Sequence, residues 1–285
     1  MSAGTGMDPA VVLLILAAAA MHAIWNAFLK VGGDRLMTIA GVIAVGALFA
    51  PALIAQGGPL APEAWPFLAL SVAIHTIYFL LLLGAYRFGD LSVAYPIARG
   101  SAPILVALGA MLFAGETLRP TEIAGVVVVS AGIVSLALGH RLVDGWRALV
   151  YPLATGAAIA AYTVSDGIGV RLAGSTPAFI GWLFVWSALP IAAIALARRG
   201  RGALVFLRAH WRPTLIGGVL AFTAYGLVIW ALTLGAMAHV SALRETSVVI
   251  GALIGTRFLG EASARRRVWS AAAVAAGVVI LNLSG

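Results

Sequence analysis

Residues 91–113 read LSVAYPIARGSAPILVALGAMLF, a run of apolar and small residues with Arg99 near its middle. A run of about 20 such residues is long enough to cross the hydrocarbon core of a bilayer as a helix. An arginine at that depth costs several kcal/mol unless it faces a partner or water. The stretch therefore predicts a membrane helix whose arginine has a defined partner or function.

The composition extends this prediction to the whole chain. Of its 285 residues, 62% are hydrophobic and 10% are charged, whereas soluble domains carry about 25% charged residues. The net charge of +8 comes from basic residues in short loops, where they set membrane topology. We therefore expect a polytopic membrane protein embedded in lipid, with no nucleic-acid partner. The chain has no cysteine, so disulfide and thiol chemistry are excluded.

Ten apolar segments are long enough to span a membrane, which predicts an all-α integral membrane fold of ten transmembrane helices. Their approximate limits are 10–30, 36–56, 65–86, 91–113, 120–138, 148–170, 177–197, 213–235, 238–259 and 268–284.

Basic residues are distributed unevenly between the two sets of loops. Loops after odd-numbered segments hold 13 Lys and Arg residues, and loops after even-numbered segments hold two, Arg119 and Arg171. Because cytoplasmic loops carry the excess of Lys and Arg, this bias puts the odd loops in the cytoplasm and both termini outside.

The chain repeats itself at a matching position in each half. YPIARGSAPILVALGAMLFAGE (95–116) aligns without gaps on VSALRETSVVIGALIGTRFLGE (240–261), so that Arg99 matches Arg244 and Glu116 matches Glu261. We therefore predict two five-helix repeats, 1–139 and 140–285. An odd number of helices gives the repeats opposite orientations, and inverted repeats around a central site are typical of transporters that work by alternating access.

Polar residues mark the segments that line the predicted central cavity. They form stripes on the first, third, fourth, sixth, eighth and ninth segments, and a helix that faces a water-filled path needs such residues. The second, fifth and tenth segments are almost wholly apolar, so we expect them in an outer shell. The candidate substrate-binding residues are Trp25, Asn26, His75, Tyr78, Tyr95, Arg99, Tyr162, Asp166, Trp182, Tyr225, Arg244 and Glu245.

Two interpretations of the buried charges stay open. In the first, Arg99 or Arg244 receives a substrate carboxylate, Asp166 or Glu245 receives an ammonium group, and aromatic side chains surround the rest of the substrate. In the second, Arg99 or Arg244 forms a fixed ion pair with Asp166 or Glu245 that holds the bundle together.

Catalytic signatures are missing from the sequence. It contains no HExxH, GxSxG, Walker A or dinucleotide-binding glycine pattern and no paired-carboxylate metal motif. We therefore expect no enzyme activity, no metal and no cofactor. An intramembrane enzyme that acts on lipid-linked substrates is the remote alternative.

Several stretches resemble one transporter family. HAIWNAFLK (22–30), AYPIARGSAP (94–103) and GETLRPTEIAGVVVVSAGI (115–133) resemble the EamA-type exporters of the drug/metabolite transporter superfamily, most closely the YddG-type exporters of aromatic amino acids. The resemblance implies a multi-pass protein of a bacterial inner membrane, which exports aromatic or broadly neutral amino acids and similar small metabolites without a cofactor. We expect it to be a monomer.

Export of cationic drugs or other metabolites is the alternative within the same class. The small multidrug relatives carry a glutamate in their first helix, whereas this chain has Asn26 and Lys30 there. That difference makes cation export the less favoured interpretation.

Overall fold

The computed structural model describes residues 7–31, 33–88, 91–138, 145–251 and 264–283, and regular structure in these residues is helical throughout. Eight helices in this part are long and apolar enough to cross a membrane. The prediction of an all-helical, multi-pass membrane protein is confirmed for these residues. The number of ten spans stays a prediction. Residues 252–259 of the ninth segment lie outside the described residues, and the apolar part of the tenth, Val268–Asn282, is shorter than the eight spans.

The helices follow the predicted segments closely. They are α1 (Pro9–Val31), α2 (Arg35–Gly57), α3 (Trp65–Phe88), α4 (Leu91–Phe113), α5 (Pro120–Val134), α6 (Arg147–Leu172), α7 (Thr176–Arg199), α8 (Gly202–Ala209), α9 (Trp211–Leu234), α10 (Met237–Arg244) and α11 (Ala264–Leu283).

Two features differ from the segment prediction. The loop after α7 contains the short helix α8, whose Leu204 and Val205 are exposed. The ninth segment is interrupted, because α10 ends at Arg244 and helical residues resume at 246–251. At the break, the Glu245 amide donates to the Ala242 carbonyl three residues back. The turn separates the directions of two neighbouring charged residues, Arg244 and Glu245, which have different partners.

The bundle has two distinct ends. At one end, Asp34 before α2 forms an ion pair with Arg199 of α7, with 2.7 Å between Oδ2 and Nε. The guanidinium of Arg147, at the start of α6, lies over the ring of Phe88 at the end of α3. We call this the arginine-rich end, because the described loops that meet there hold most of the arginines. The opposite, arginine-poor end is where α4, α6 and α9 finish.

A clamp at the arginine-poor end joins four of these helices. Gly115 has a φ of 66°, which ends α4 with a reversal of the chain. The next residue, Glu116, accepts a hydrogen bond from the Met237 amide at 2.9 Å and so caps α10. It also pairs with Arg171 at 2.8 Å, and Arg171 donates to the carbonyl of Leu232 near the end of α9. The repeated Gly-Glu pattern thus has a structural role in the first half.

Apolar side chains fill the half of the bundle nearer the arginine-poor end. We call this group the apolar seal, and each member is at most 6% exposed. Its members include Ile15, Leu68, Val164, Phe179, Leu232 and Met237. They come from α1, α3, α6, α7, α9 and α10, so six helices close this half together.

Candidate functional site

A cavity of about 100 Å³ lies in the half of the bundle nearer the arginine-rich end. It is bordered by α1, α2, α3, α6, α7, α9 and α10. Its lining residues are His22, Trp25, Ile39, Val42, Ile43, His75, Tyr78, Phe79, Tyr162, Leu183, Phe184, Ser187, Ala221, Tyr225 and Arg244. Most of these side chains are aromatic or aliphatic, as in typical small-molecule sites.

The floor of the cavity is a cluster of stacked rings. The His75 imidazole stacks on Tyr162 with 4.0 Å between ring centroids. Tyr225 meets His75 edge to face at 5.5 Å, and Tyr78 meets Tyr162 in the same way at 5.5 Å. The Nδ1 atom of His75 bonds within its own helix to the Ser71 carbonyl, which fixes the ring orientation.

Arg244 provides the positive charge of the cavity wall. Its Nη2 donates to the Tyr162 hydroxyl at 3.2 Å, and its guanidinium lies 5.5 Å from the centroid of the Tyr225 ring. The residue is 6% exposed. Among the described residues, no carboxylate lies within ion-pair distance of Arg244, so a phenol and a ring face take the place of a counter-ion.

Arg99 has a different environment from Arg244, its counterpart in the sequence alignment. Its Nη2 lies 2.9 Å from Oε1 of Glu245, and the two side chains are 4% and 1% exposed. Its Nε and the Oε2 of Glu245 are buried without a hydrogen-bond partner among the described atoms. The pair joins α4 to the turn after α10 and lies outside the cavity lining. This is the arrangement of the second interpretation of the sequence, a fixed ion pair.

Asp166 lies one helical turn from Tyr162 along α6, on the side of the arginine-poor end. It is fully buried, and the Tyr225 hydroxyl donates a short hydrogen bond to its Oδ2. Its Oδ1 accepts no hydrogen bond from the described residues. Asp166 is therefore separated from the cavity by one tyrosine side chain.

The remaining candidates lie apart from the floor. Trp25 lines the cavity and donates through Nε1 to Nδ1 of His22 at 3.1 Å. Asn26 instead donates to the His22 carbonyl of its own helix. Tyr95 packs against an apolar cluster between α5, α10 and α11. Trp182 packs against Trp65, with 5.5 Å between centroids.

The structure thus brings six of the twelve candidates together on the cavity wall. They are Trp25, His75, Tyr78, Tyr162, Tyr225 and Arg244. The other six lie outside the lining: Asn26, Tyr95, Arg99, Asp166, Trp182 and Glu245.

The sequence did not predict part of the cavity wall. The second segment was expected in the outer shell, yet Ile39, Val42 and Ile43 of α2 line the cavity. Phe184 and Ser187 of α7 lie on the same wall. A search for polar stripes cannot find such a wall, because its side chains resemble those that face lipid. The stripe on α1 did contain a further lining residue, His22.

Metal-binding clusters were also sought in the described part of the chain. Within it, no group of three or more His, Cys, Asp or Glu residues is arranged to hold a metal ion.

Comparison with known proteins finds a family model that matches residues 9–138 and a solved structure with a similar fold over most of the chain. Residues 9–138 match the EamA-like transporter family. A solved structure, titled only as the crystal structure of a protein, is similar with a TM-score of 0.73 and 16% identity, over 96% of this chain and 95% of its own. At this identity the likeness shows the fold alone. No curated protein matches the sequence.

Proposed function

We propose that this protein is a secondary transporter that exports neutral, preferentially aromatic, amino acids and similar small metabolites by alternating access. One observation carries the proposal. Arg244 presents a buried guanidinium to an aromatic cavity, and no described carboxylate neutralises it. A guanidinium binds carboxylate through parallel, charge-assisted hydrogen bonds, which gain strength away from water. The match of residues 9–138 to a transporter family supports transport of a small molecule.

The surrounding rings suit the side chain of such a substrate. His75, Tyr78, Tyr162 and Tyr225 form the floor, and Trp25 lies on the wall. Aromatic pairs favour edge-to-face and offset contacts at centroid distances of about 4.5–7 Å. A substrate ring can join this cluster by the same contacts while its carboxylate meets Arg244.

The cavity chemistry favours this substrate class over cationic drugs. Its described lining contains Arg244 and two histidines but no aspartate or glutamate. A cation without a carboxylate of its own would meet the uncompensated charge of Arg244, and Arg99 already occupies Glu245.

Helix packing supports the proposed inverted repeat of residues 1–139 and 140–285. A two-fold relation exchanges α1 with α6, α3 with α9, and α4 with α10. The contact of α1 with α9 then corresponds to that of α3 with α6, and both are extensive. The pairs α2–α7 and α5–α11 correspond to themselves, and each is in contact.

We further propose that the arginine-rich end faces the cytoplasm of a bacterium, with the chain in the inner membrane as a monomer. The described loops at that end contain Arg35, Arg87, Arg147 and the arginines between 198 and 212. The positive-inside rule assigns such an end to the cytoplasm. The cavity then lies nearer the cytoplasm, where an export substrate is collected.

Flux measurements on purified protein in liposomes test the substrate proposal. With labelled phenylalanine as the probe, we expect the wild-type protein to exchange internal for external substrate. Arg244→Gln should lower the exchange rate at subsaturating substrate by about 10–100-fold, since a hydrogen bond to a charged group is worth about 1.5–3 kcal/mol.

Arg208→Gln is the matched control, because it removes an exposed arginine from α8. Its flux should equal that of the wild type. Absence of flux for every amino acid in a panel, or equal flux in Arg244→Gln and the wild type, would contradict the proposal.

A further inference from the structure

Asp166 combines complete burial with the lack of a cationic partner. Its side chain accepts a hydrogen bond from Tyr225, and no described Lys or Arg lies within ion-pair distance. An ionised carboxylate buried in this way is costly, and the cost falls only when it gains a cation or a proton. Asp166 is therefore suited to hold a proton until a positive group arrives.

Helices α3, α4, α7, α9 and α10 pack against α6, which carries Asp166. Tyr225 on α9 donates to Asp166, and Ser71 on α3 and Arg244 at the end of α10 also lie close to it. Further charged or titratable groups on these elements are Tyr162 on α6 itself, His75 on α3, Arg99 on α4 and Glu245 after α10. The next helix, α7, carries no titratable side chain before Arg198, and Glu63 in the turn before α3 is exposed. Arg99 and Glu245 neutralise each other, which leaves Arg244 as the uncompensated cation in this group.

Asp166 and Arg244 present opposite charges on either side of Tyr225. Both contact Tyr225, since its hydroxyl donates to Asp166 and its ring faces the Arg244 guanidinium. One tyrosine side chain therefore separates a carboxylate from a guanidinium. The ammonium and carboxylate groups of an α-amino acid carry the charges that complement these two side chains.

Asp166 also occupies the boundary between the cavity and the apolar seal. The cavity floor at Tyr162 lies one turn away on α6, and the sealing residue Val164 lies between these two residues in the sequence. In alternating access a site at this boundary faces each side of the membrane in turn.

We propose that Asp166 exchanges a proton for the amino group of the exported amino acid. The inference rests on the proposed function. When substrate enters, the Tyr225 hydroxyl turns away, the proton on Asp166 passes to water in the cavity, and the ammonium group pairs with the carboxylate. After the substrate leaves on the other side, Asp166 takes a proton from that side. Each amino acid that leaves is balanced by one proton that enters.

Proton release on binding is the direct test. Purified protein in weakly buffered detergent solution is mixed with phenylalanine, and a pH indicator dye records the change. The wild-type protein should release up to one proton for each site filled. The probe 3-phenylpropanoate, which lacks the amino group, should compete with labelled phenylalanine for binding without proton release. Asp166→Asn should bind phenylalanine more weakly, because the ammonium group loses its ion pair, and should release no proton at saturating phenylalanine.

Transport against a gradient provides a second measurement in liposomes. The membrane potential is clamped, and the interior is made about one pH unit more acidic than the exterior. Exchange of one proton per substrate then accumulates phenylalanine inside by about tenfold at equilibrium. Asp166→Asn should lose this accumulation, because it has no proton to exchange, and any phenylalanine that it still moves should only equilibrate across the membrane. Glu63→Gln, which changes an exposed carboxylate, should behave as the wild type.

The outcomes separate this inference from the proposed function. If the wild-type protein exchanges no phenylalanine, the proposed function fails. If it exchanges phenylalanine without proton release or accumulation, the proton inference alone is overturned. Proton release by Asp166→Asn, or by wild type with 3-phenylpropanoate, overturns it as well. If Asp166→Asn does not fold, proton release by the wild-type protein with phenylalanine and with 3-phenylpropanoate still tests the proton inference.

Discussion

Arg99 and Arg244 occupy aligned positions of the two halves, yet they have different partners. Arg99 is held by Glu245, whereas Arg244 meets a phenol hydroxyl and a ring face. The difference arises next to the break at the end of α10, where Glu245 follows Arg244 directly and Gly100 follows Arg99 in α4. One acidic residue thus neutralises the arginine of the other half and leaves its own neighbour open to the cavity.

Breaking the Arg99–Glu245 pair should destabilise the protein strongly. Removing one partner leaves an uncompensated buried charge, at a cost of about 3–5 kcal/mol. Arg99→Met and Glu245→Leu should each lower the unfolding midpoint in detergent, measured by circular dichroism. The double variant should be more stable than either single variant, because no buried charge is left. If the double variant loses as much stability as a single variant, or as much as the two single variants together, the two residues do not form an isolated pair.

The sequence located these charges but could not assign their partners. The repeat made Arg99 and Arg244 equivalent, and either Asp166 or Glu245 could have paired with either arginine. The pairing depends on the turn at Glu245, which interrupts a segment predicted as one continuous helix. Residues 240–250 contain no Pro or Gly, the residues that usually signal a helix break in a sequence. The break therefore depends on tertiary packing.

At the scale of helices, the arginine-poor end depends on Glu116, because this residue supplies a cap that α10 lacks in its own sequence. The residue before α10 is Ala236, which provides no side-chain acceptor. Glu116 fills that role from the end of α4 and brings a negative charge to a helix N-terminus, where such a charge is stabilising.

Loss of this cap should be measurable at the amide it protects. In Glu116→Ala we expect faster hydrogen exchange at Met237 and a loss of stability of about 1–2 kcal/mol. Glu63→Ala, which changes an exposed carboxylate, should leave exchange at Met237 unchanged. Unaltered exchange in Glu116→Ala would show that α10 does not depend on the cap.

Close contact between α5 and α11 rests on glycine. A Cβ atom added to Gly277 meets Val129 Cγ2 at 2.6 Å and the Gly125 carbonyl oxygen at 2.8 Å. Because backbone atoms block the added methyl group, Gly277→Ala should force the helices apart and cost about 1–3 kcal/mol. Gly202→Ala meets nothing within 4 Å, so its thermal midpoint should stay near that of the wild type. A wild-type midpoint for Gly277→Ala would contradict this close packing.

The sequence predicted the limits of the helices better than it predicted which helices line the cavity. Apolar length and the loop residues gave the spans within a few residues, because the bilayer imposes a minimum length on each crossing. Polar stripes identified the aromatic floor of the cavity. They could not assign α2 to the wall or Trp182 to a contact with Trp65, since apolar and aromatic side chains suit lipid, core and cavity alike.

For the whole molecule, the proposed orientation in the membrane can be tested with single cysteines, because the chain has none of its own. Glu63 lies at the arginine-poor end and Arg208 at the arginine-rich end, and both are exposed. We expect a membrane-impermeant maleimide to label Glu63→Cys in intact cells. Arg208→Cys should react after the membrane is opened. The reverse labelling pattern would invert the orientation, and labelling of both from one side would contradict the fold.

The apolar seal has a consequence for the cell that houses the protein. A membrane transporter must not conduct ions between transport cycles, because a leak would dissipate the ion gradients of the cell. Within the described residues, side chains such as Phe179 and Leu232 fill this half with apolar surface, where an ion would lose its hydration. The packing of six helices around them therefore works as electrical insulation. A variant that opens this packing, such as Phe179→Ala, should let ions leak through the protein and so lower the membrane voltage.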